Sequence, residues 1–168
     1  MPLPGLIVPM RGAVASGGTP AVISGATGTA IGNMTGGGGL AAGFDGVTSQ
    51  SYSAGSFRAA DTGNTIGKNW GSNKTITQAD IWCPNNVRFN GSGGQASGLL
   101  FTLYGSNSSL SGGVSLGTFT GSQTGLSQKV TITATDTSTS YPYHWVSCDV
   151  TSLLGGGFYL AEVEFTGY

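Results

Sequence analysis

Three features of the sequence have residue types suited to covalent chemistry. Gly113-Val114-Ser115-Leu116-Gly117 matches G-x-S-x-G, the pattern that presents a nucleophilic serine on a sharp strand-to-helix turn. His144 is the sole histidine, and Asp149 follows it in the same stretch. A triad needs all three to meet, and the surrounding residues argue against it. No helix-forming run follows Ser115, and a chain this rich in Gly and Ser yields roughly one such match by chance. His144 falls on the inward phase of an alternating segment, where a satisfied core or edge histidine is the expectation rather than a general base. Asp149 lies along the same segment and cannot readily orient it. The sequence carries no histidine pair spaced for a metal, no phosphate-cradling P-loop and no dinucleotide fingerprint. A non-enzyme is expected.

Residues suited to recognition are more plentiful. A sugar-binding surface sets an aromatic ring under the apolar face of a pyranose and places amides or guanidinium groups at its hydroxyls. Tyr52, Phe57, Arg58, Asn69, Trp70, Asn85, Asn86 and Arg88 stand in stretches that read as loops. Tyr52, Arg58, Trp70, Asn85, Asn86 and Arg88 are taken as the ligand-binding candidates. Trp70, within Gly67-Lys68-Asn69-Trp70-Gly71, also suits a core position, and both readings stand at this level. Tyr143 and Trp145 form a second candidate surface, unless a loop or the N-terminal segment covers them.

The elements that must position these residues read as strands. Lys129 to Ala134 alternates, with Val130, Ile132 and Ala134 on one face. Leu99, Phe101 and Leu103 are in phase, as are Val146, Cys148 and Val150, with Tyr143 and Trp145 opposite. Ala79, Ile81 and Cys83 share a face between Thr75 and Cys83. In Phe158 to Thr166, Tyr159, Ala161, Val163 and Phe165 fall together, with Glu162 and Glu164 opposite. Turn residues separate the runs at Pro84-Asn85-Asn86, Asn90 to Gly94, Gly105 to Ser109 and Gly155 to Gly157. Glycines interrupt almost every window long enough for a helix. The fold class is all-β, an antiparallel sandwich or barrel.

Composition narrows the setting. Only 8% of residues are charged, against about 25% in an ordinary soluble domain. With 6 basic and 7 acidic residues scattered singly, no basic footprint for nucleic acid or anionic membranes exists. No apolar run is long enough to span a bilayer. Pro4 and Pro9 bracket a short apolar stretch and Arg11 comes late, so no Sec-type signal peptide is expected. Residues 1–40 are rich in Gly, Ala, Thr, Ser and Pro and end in Gly36-Gly37-Gly38-Gly39. They read as a glycine-rich, largely irregular linker or anchoring segment; residues 1–30 suit a flexible linker and a docking segment equally. Residues 41–168 form the sandwich domain. Cys83 and Cys148 are too few for a disulfide scaffold or a cysteine-only zinc site. They read as two buried thiols or as one bridge.

Four pieces of the sequence resemble the galactose-binding-like, or discoidin (coagulation factor type C), family. They are Ala41 to Gly46 (AAGFDG), Lys74 to Trp82 (KTITQADIW), Leu100 to Asn107 (LFTLYGSN) and Leu160 to Gly167 (LAEVEFTG), in the family's order. The resemblance implies a jelly-roll β-sandwich that binds glycans, lipids or proteins through its loops, without catalysis. It also implies a structural calcium held by Asp45, the Glu162 carboxylate and nearby main-chain carbonyls. Val47 and Gln50 depart from that pattern, standing where the family often has further oxygen ligands. Without calcium, Asp45 caps its own turn and Glu162 is a solvated strand residue. The expectation for the whole is a phage virion structural protein, such as a head decoration, fibre or tail-associated adhesin. It would be made in the host cytoplasm, attached to other virion proteins through residues 1–40, homo-oligomeric, and directed at a host-surface glycan. The alternatives are a free-standing carbohydrate-binding module and a capsid-cementing domain without ligand.

Overall fold

Period-two alternation sends every second residue of a strand to one face, so each apolar set named above needs a second layer to cover it. A computed structural model describes residues 18–25, 27–58, 62–91, 96–123, 125–151 and 157–168, with the backbone alone at 56, 57, 96 and 97. Three short N-terminal strands come first: β1 (Ala21–Val22), β2 (Thr29–Gly32) and β3 (Gly36–Gly37). A single helical turn, α1 (Gly39–Ala42), leads to β4 (Ser56–Arg58), β5 (Asn64–Lys74) and β6 (Ile76–Trp82). Then follow β7 (Ala96–Ser106), β8 (Val114–Gln123), β9 (Lys129–Thr133), β10 (Tyr141–Asp149), β11 (Phe158–Leu160) and β12 (Glu162–Gly167). Among the described residues no helix is long and apolar enough to cross a membrane.

All pairings are antiparallel. One sheet runs β2-β5-β10-β7-β8, the opposing one β1-β12-β6-β9, and a small third sheet is ordered β11-β4-β3. The chain is therefore an all-β sandwich, as the alternation predicts. Its core takes Leu99, Phe101 and Leu103 from β7, and Val146 and Cys148 from β10. The facing sheet contributes Ala79 and Ile81 from β6, Val130 and Ile132 from β9, and Val163 and Phe165 from β12. Both cysteines are buried free thiols, so the structure realises the first of the two readings.

Four expectations are corrected. First, parts of the glycine-rich stretch ahead of residue 41 are built into the sheets. Ala21 and Val22 pair with Gly167 and Thr166, and Thr29 to Gly32 pair along β5. Ser24 Oγ accepts the Phe165 N–H at 3.0 Å, and Gly36-Gly37 pair with β4. Strand pairing needs only main-chain amides, so a stretch poor in side-chain area can still be ordered when an existing sheet edge receives it. Residues 1–17 lie outside the described residues.

Second, Trp70 is not on a loop. β5 was hidden in the sequence because glycines and Asn69 interrupt it and because Lys68 faces inward between Ile66 and Trp70, all three buried. Gly67 on the opposite phase is required: a Cβ there would collide with the His144 carbonyl and the Trp145 side chain. Third, the final run does not keep one phase. It bends at Ala161, so Phe158 and Leu160 join the core before Val163 and Phe165 do, and Tyr159 lies on the other side of β11. Fourth, Glu162 is not solvated; it is 1% exposed.

Trp145 sits on the outer phase yet is buried, stacked on Tyr104 (centroids 5.3 Å apart, 19°) with Gly113 against its ring. The turn after β7 thus covers much of the second candidate surface. Ser115 is an exposed residue of β8, which continues as strand to Gln123, and Asp149 accepts the Gly63 N–H at 2.6 Å. His144 is buried in the core, where its Nδ1 accepts the Trp70 Nε1–H at 3.0 Å. These three residues serve the fold separately.

Candidate functional site

The recognition candidates converge where the loop after α1 (43–55), the loop after β6 (83–91) and β11 meet. The turn chemistry of Ser49 to Ser53 and of Pro84-Asn85-Asn86 explains why both segments leave the sheets here. The two loops are clamped by amides. Tyr52 N–H donates to Asn86 Oδ1 at 3.0 Å, Asn85 N–H to the Gln50 carbonyl at 3.0 Å, and Asn85 Nδ2 to the Ser49 carbonyl at 3.2 Å. Each asparagine uses one half of its side-chain amide on the clamp, and both remain exposed.

Tyr52 stands on this platform with 42% of its surface exposed. Tyr159 braces it edge-on, ring centroids 5.5 Å apart and planes at 80°. Tyr159 itself is buried, and β11 is tied to the second loop by its N–H to the Phe89 carbonyl at 2.9 Å. Burial first, and the neighbouring Tyr52 second, push the Tyr159 phenol above its ordinary pKa. The close approach of loop and strand requires glycine at 55, where a Cβ would collide with the Leu160 carbonyl.

Of the six sequence candidates, Tyr52, Asn85 and Asn86 are thus brought together. Arg88 lies on the same second loop, half-buried and bridged through its backbone to Gly91. Arg58 is on β4 opposite Phe158, its guanidinium donating to the carbonyls of Thr62 (3.3 Å) and Gly63 (3.0 Å). Trp70 belongs to the core against Phe165, ring centroids 5.8 Å apart, and is separate from this cluster. The Phe57 side chain lies outside the described residues, and Asn69 Oδ1 accepts the Gly71 N–H. Sequence reasoning missed Tyr159, because strict alternation counts it with the core set, and only the bend at Ala161 frees it.

The whole architecture is similar to that of several sugar-recognition domains. A family 62 carbohydrate-binding module from Clostridium thermocellum Xyl5A superposes with a TM-score of 0.56 at 23% identity, covering 84% of this chain and 94% of that one. The family 32 module of NanJ from C. perfringens, solved in complex with galactose, gives 0.59 at 16%, covering 88% and 98%. A fucose-binding module from Streptococcus pneumoniae gives 0.56 at 16%, covering 87% and 94%. The fold is galactose-binding-like. No protein-family model matches the sequence, and no curated protein matches it at a significant level.

In this galactose-binding-like sandwich, the calcium pair expected from the resemblance does come together. Asp45 N–H donates to Glu162 Oε2 at 3.1 Å, across 117 residues of chain. The surroundings do not fit an ion, however. Asp45 Oδ1 accepts the Val47 N–H at 2.9 Å and closes its own turn. The Glu162 carboxyl is turned toward main-chain N–H groups of Asp45 and Gly46, and burial pushes its pKa up to about 8. Lys68, also buried, sets its ammonium 4.4 Å from the centre of the Phe44 ring and brings a positive charge close to Glu162. Among the described residues no third His, Cys, Asp or Glu side chain joins this pair. A calcium ion takes about six to eight oxygens, and here Glu162 Oε2 and Asp45 Oδ1 are already directed at N–H donors.

Proposed function

We propose that this domain is a non-catalytic carbohydrate-binding module that holds a pyranose against Tyr52. The carrying observation is the exposed Tyr52 ring, braced by Tyr159 and flanked by the Asn85 and Asn86 amides. The ring supplies the apolar platform, and the exposed halves of the two amides are placed to bond hydroxyls. Arg88 shares the second loop with these amides, whereas Arg58 is engaged by the Thr62 and Gly63 carbonyls. The structural neighbours solved with galactose or described as fucose-binding make these two sugars the first to try.

Glycan-array screening followed by calorimetry tests the reading. Tyr52→Ala is expected to weaken the sugar at least about tenfold, which is ~1.4 kcal/mol. Because Tyr52 is 42% exposed and makes no part of the sandwich core, melting should shift by no more than roughly 2–4 °C. Sugar binding that is unchanged in Tyr52→Ala would move the site elsewhere.

We further propose that the module is displayed on a phage particle, with residues 1–40 providing the contacts to other virion proteins and several copies sharing the attachment. Support comes from the low charge and the Gly/Ser/Thr-rich surface composition, which suit an extracellular particle. A free-standing module and a cementing domain are the competing roles. Micrographs of the native assembly separate them: density for the sandwich on a particle surface is expected, and a freely diffusing monomer defeats the display reading.

A further inference from the structure

We propose that the side-chain amide of Gln50 does the work of a structural cation in this domain, tying the loop after α1 to the start of β12 and thereby positioning the Tyr52 platform without metal. The functional half of this statement rests on the reading of Tyr52 given above.

One nitrogen makes the tie. Gln50 Nε2 donates to the Ala42 carbonyl at 2.9 Å and to the Ala161 carbonyl at 2.7 Å. These acceptors come from segments that are far apart in the chain, one before the Asp45 turn and one at the bend between β11 and β12. Two carbonyl oxygens converging on one point repel each other unless a positive group lies between them. A metal ion supplies that charge, and so do the two hydrogens of a primary amide, one for each carbonyl. The orientation of the amide is set by the same geometry. Reversed, its oxygen would face two carbonyl oxygens at these same short distances, with no donor among them.

The neighbouring acidic groups are consistent with this role. Glu162 accepts the Asp45 N–H, and Asp45 accepts the Val47 N–H, so each carboxylate is engaged by main-chain donors. Val47 contributes an exposed apolar side chain where an oxygen ligand would be needed. Lys68 already provides a cation on the inner side of Phe44. The departure of Gln50 and Val47 from the resemblance is thus one coherent substitution, an amide for an ion.

The tie reaches the recognition surface directly. The main-chain carbonyl of Gln50 accepts the Asn85 N–H at 3.0 Å, and Tyr52 follows two residues later, held by Asn86. Gln50 is therefore a positioning residue, linking Ala161, the second loop and the platform.

Thermal melting of the full chain, with chelator and with millimolar calcium chloride, tests the proposal without any sugar present. The wild-type midpoint is expected to be the same under both conditions. Gln50→Met keeps the length of the side chain and removes both N–H groups; its midpoint should fall by roughly 3–8 °C and should not be restored by calcium. A wild-type midpoint that rises with calcium or falls with chelator would overturn the proposal, and so would a Gln50→Met protein that melts with the wild type. Should the variant not fold, the wild-type calcium comparison still decides. A domain that binds no glycan defeats the reading of Tyr52 and leaves the melting result standing.

Discussion

Phe101→Ala is expected to destabilise the domain by about 3–5 kcal/mol. Phe101 is fully buried on β7 and touches three other rings. It meets Phe89 at 5.2 Å and 89°, Phe158 at 5.7 Å and 85°, and Phe119 at 6.3 Å. Phe89 and Phe158 are also stacked on each other at 5.8 Å and 6°. Removing the central ring takes away its own transfer energy and leaves a cavity that three aromatic neighbours on separate elements cannot collapse into. The loss is large against a total stability of about 5–15 kcal/mol. It also reaches the candidate site, because Phe89 sits in the second loop and Phe158 immediately precedes Tyr159. Urea titration should show a lower midpoint with an unchanged slope, together with weakened sugar binding. Leu100→Ala, on the same strand but 46% exposed, is expected to stay within about 0.5 kcal/mol of the parent. Similar losses for the two variants would contradict the packing described.

Acid is expected to destabilise the protein through His144, by about 3 kcal/mol between roughly pH 6.5 and pH 4. Burial pushes this imidazole down to about 4 from its usual 6.5. The unfolded chain therefore binds a proton in a range where the folded chain does not. The contribution is fully present above the unfolded value and is lost as pH falls through the folded one. A tenfold change in proton affinity between the two states is worth about 1.4 kcal/mol. The geometry explains the direction: Nδ1 must keep its lone pair to accept the Trp70 Nε1–H, and the ring is enclosed by Trp70 and Tyr141. Glu162 acts in the opposite sense. Its folded-state pKa, raised from 4.5 to about 8, gives stability that is complete below 4.5 and is lost as pH rises through 8. The difference between wild type and His144→Asn isolates the imidazole, since asparagine can offer an oxygen where Nδ1 stands but does not titrate. The two stability curves should run parallel above about pH 7 and separate below it. As the sole histidine, His144 also gives an unambiguous proton resonance, and a titration midpoint near the usual 6.5 would refute the assignment.

How much of the molecule is legible in the residues follows from how local each signal is. Leu99, Phe101 and Leu103, Val130 and Ile132, and Val146 and Cys148 are buried where their alternation puts them, because a strand assigns faces by itself. Turn residues placed Asn85, Asn86 and Tyr52 outside the strands for an equally local reason. β5 escaped detection because its inward face carries Lys68, whose burial is made tolerable by Phe44 and Glu162 from elsewhere in the chain. The same holds for β1, β2 and β3, whose order comes from the sheet edges that receive them.

Alternation and turn propensity act over a few residues, and they are enough to make this chain an all-β sandwich with polar loops. They are not enough to set Tyr159 against Tyr52, to draw Trp70 into the core, or to join Ala42 to Ala161 through Gln50. Those meetings depend on strand register, on the bend at Ala161 and on a loop closed across the 111 residues between Gln50 and Ala161. No local pattern encodes such contacts, because each exists only once the two sheets have closed on each other.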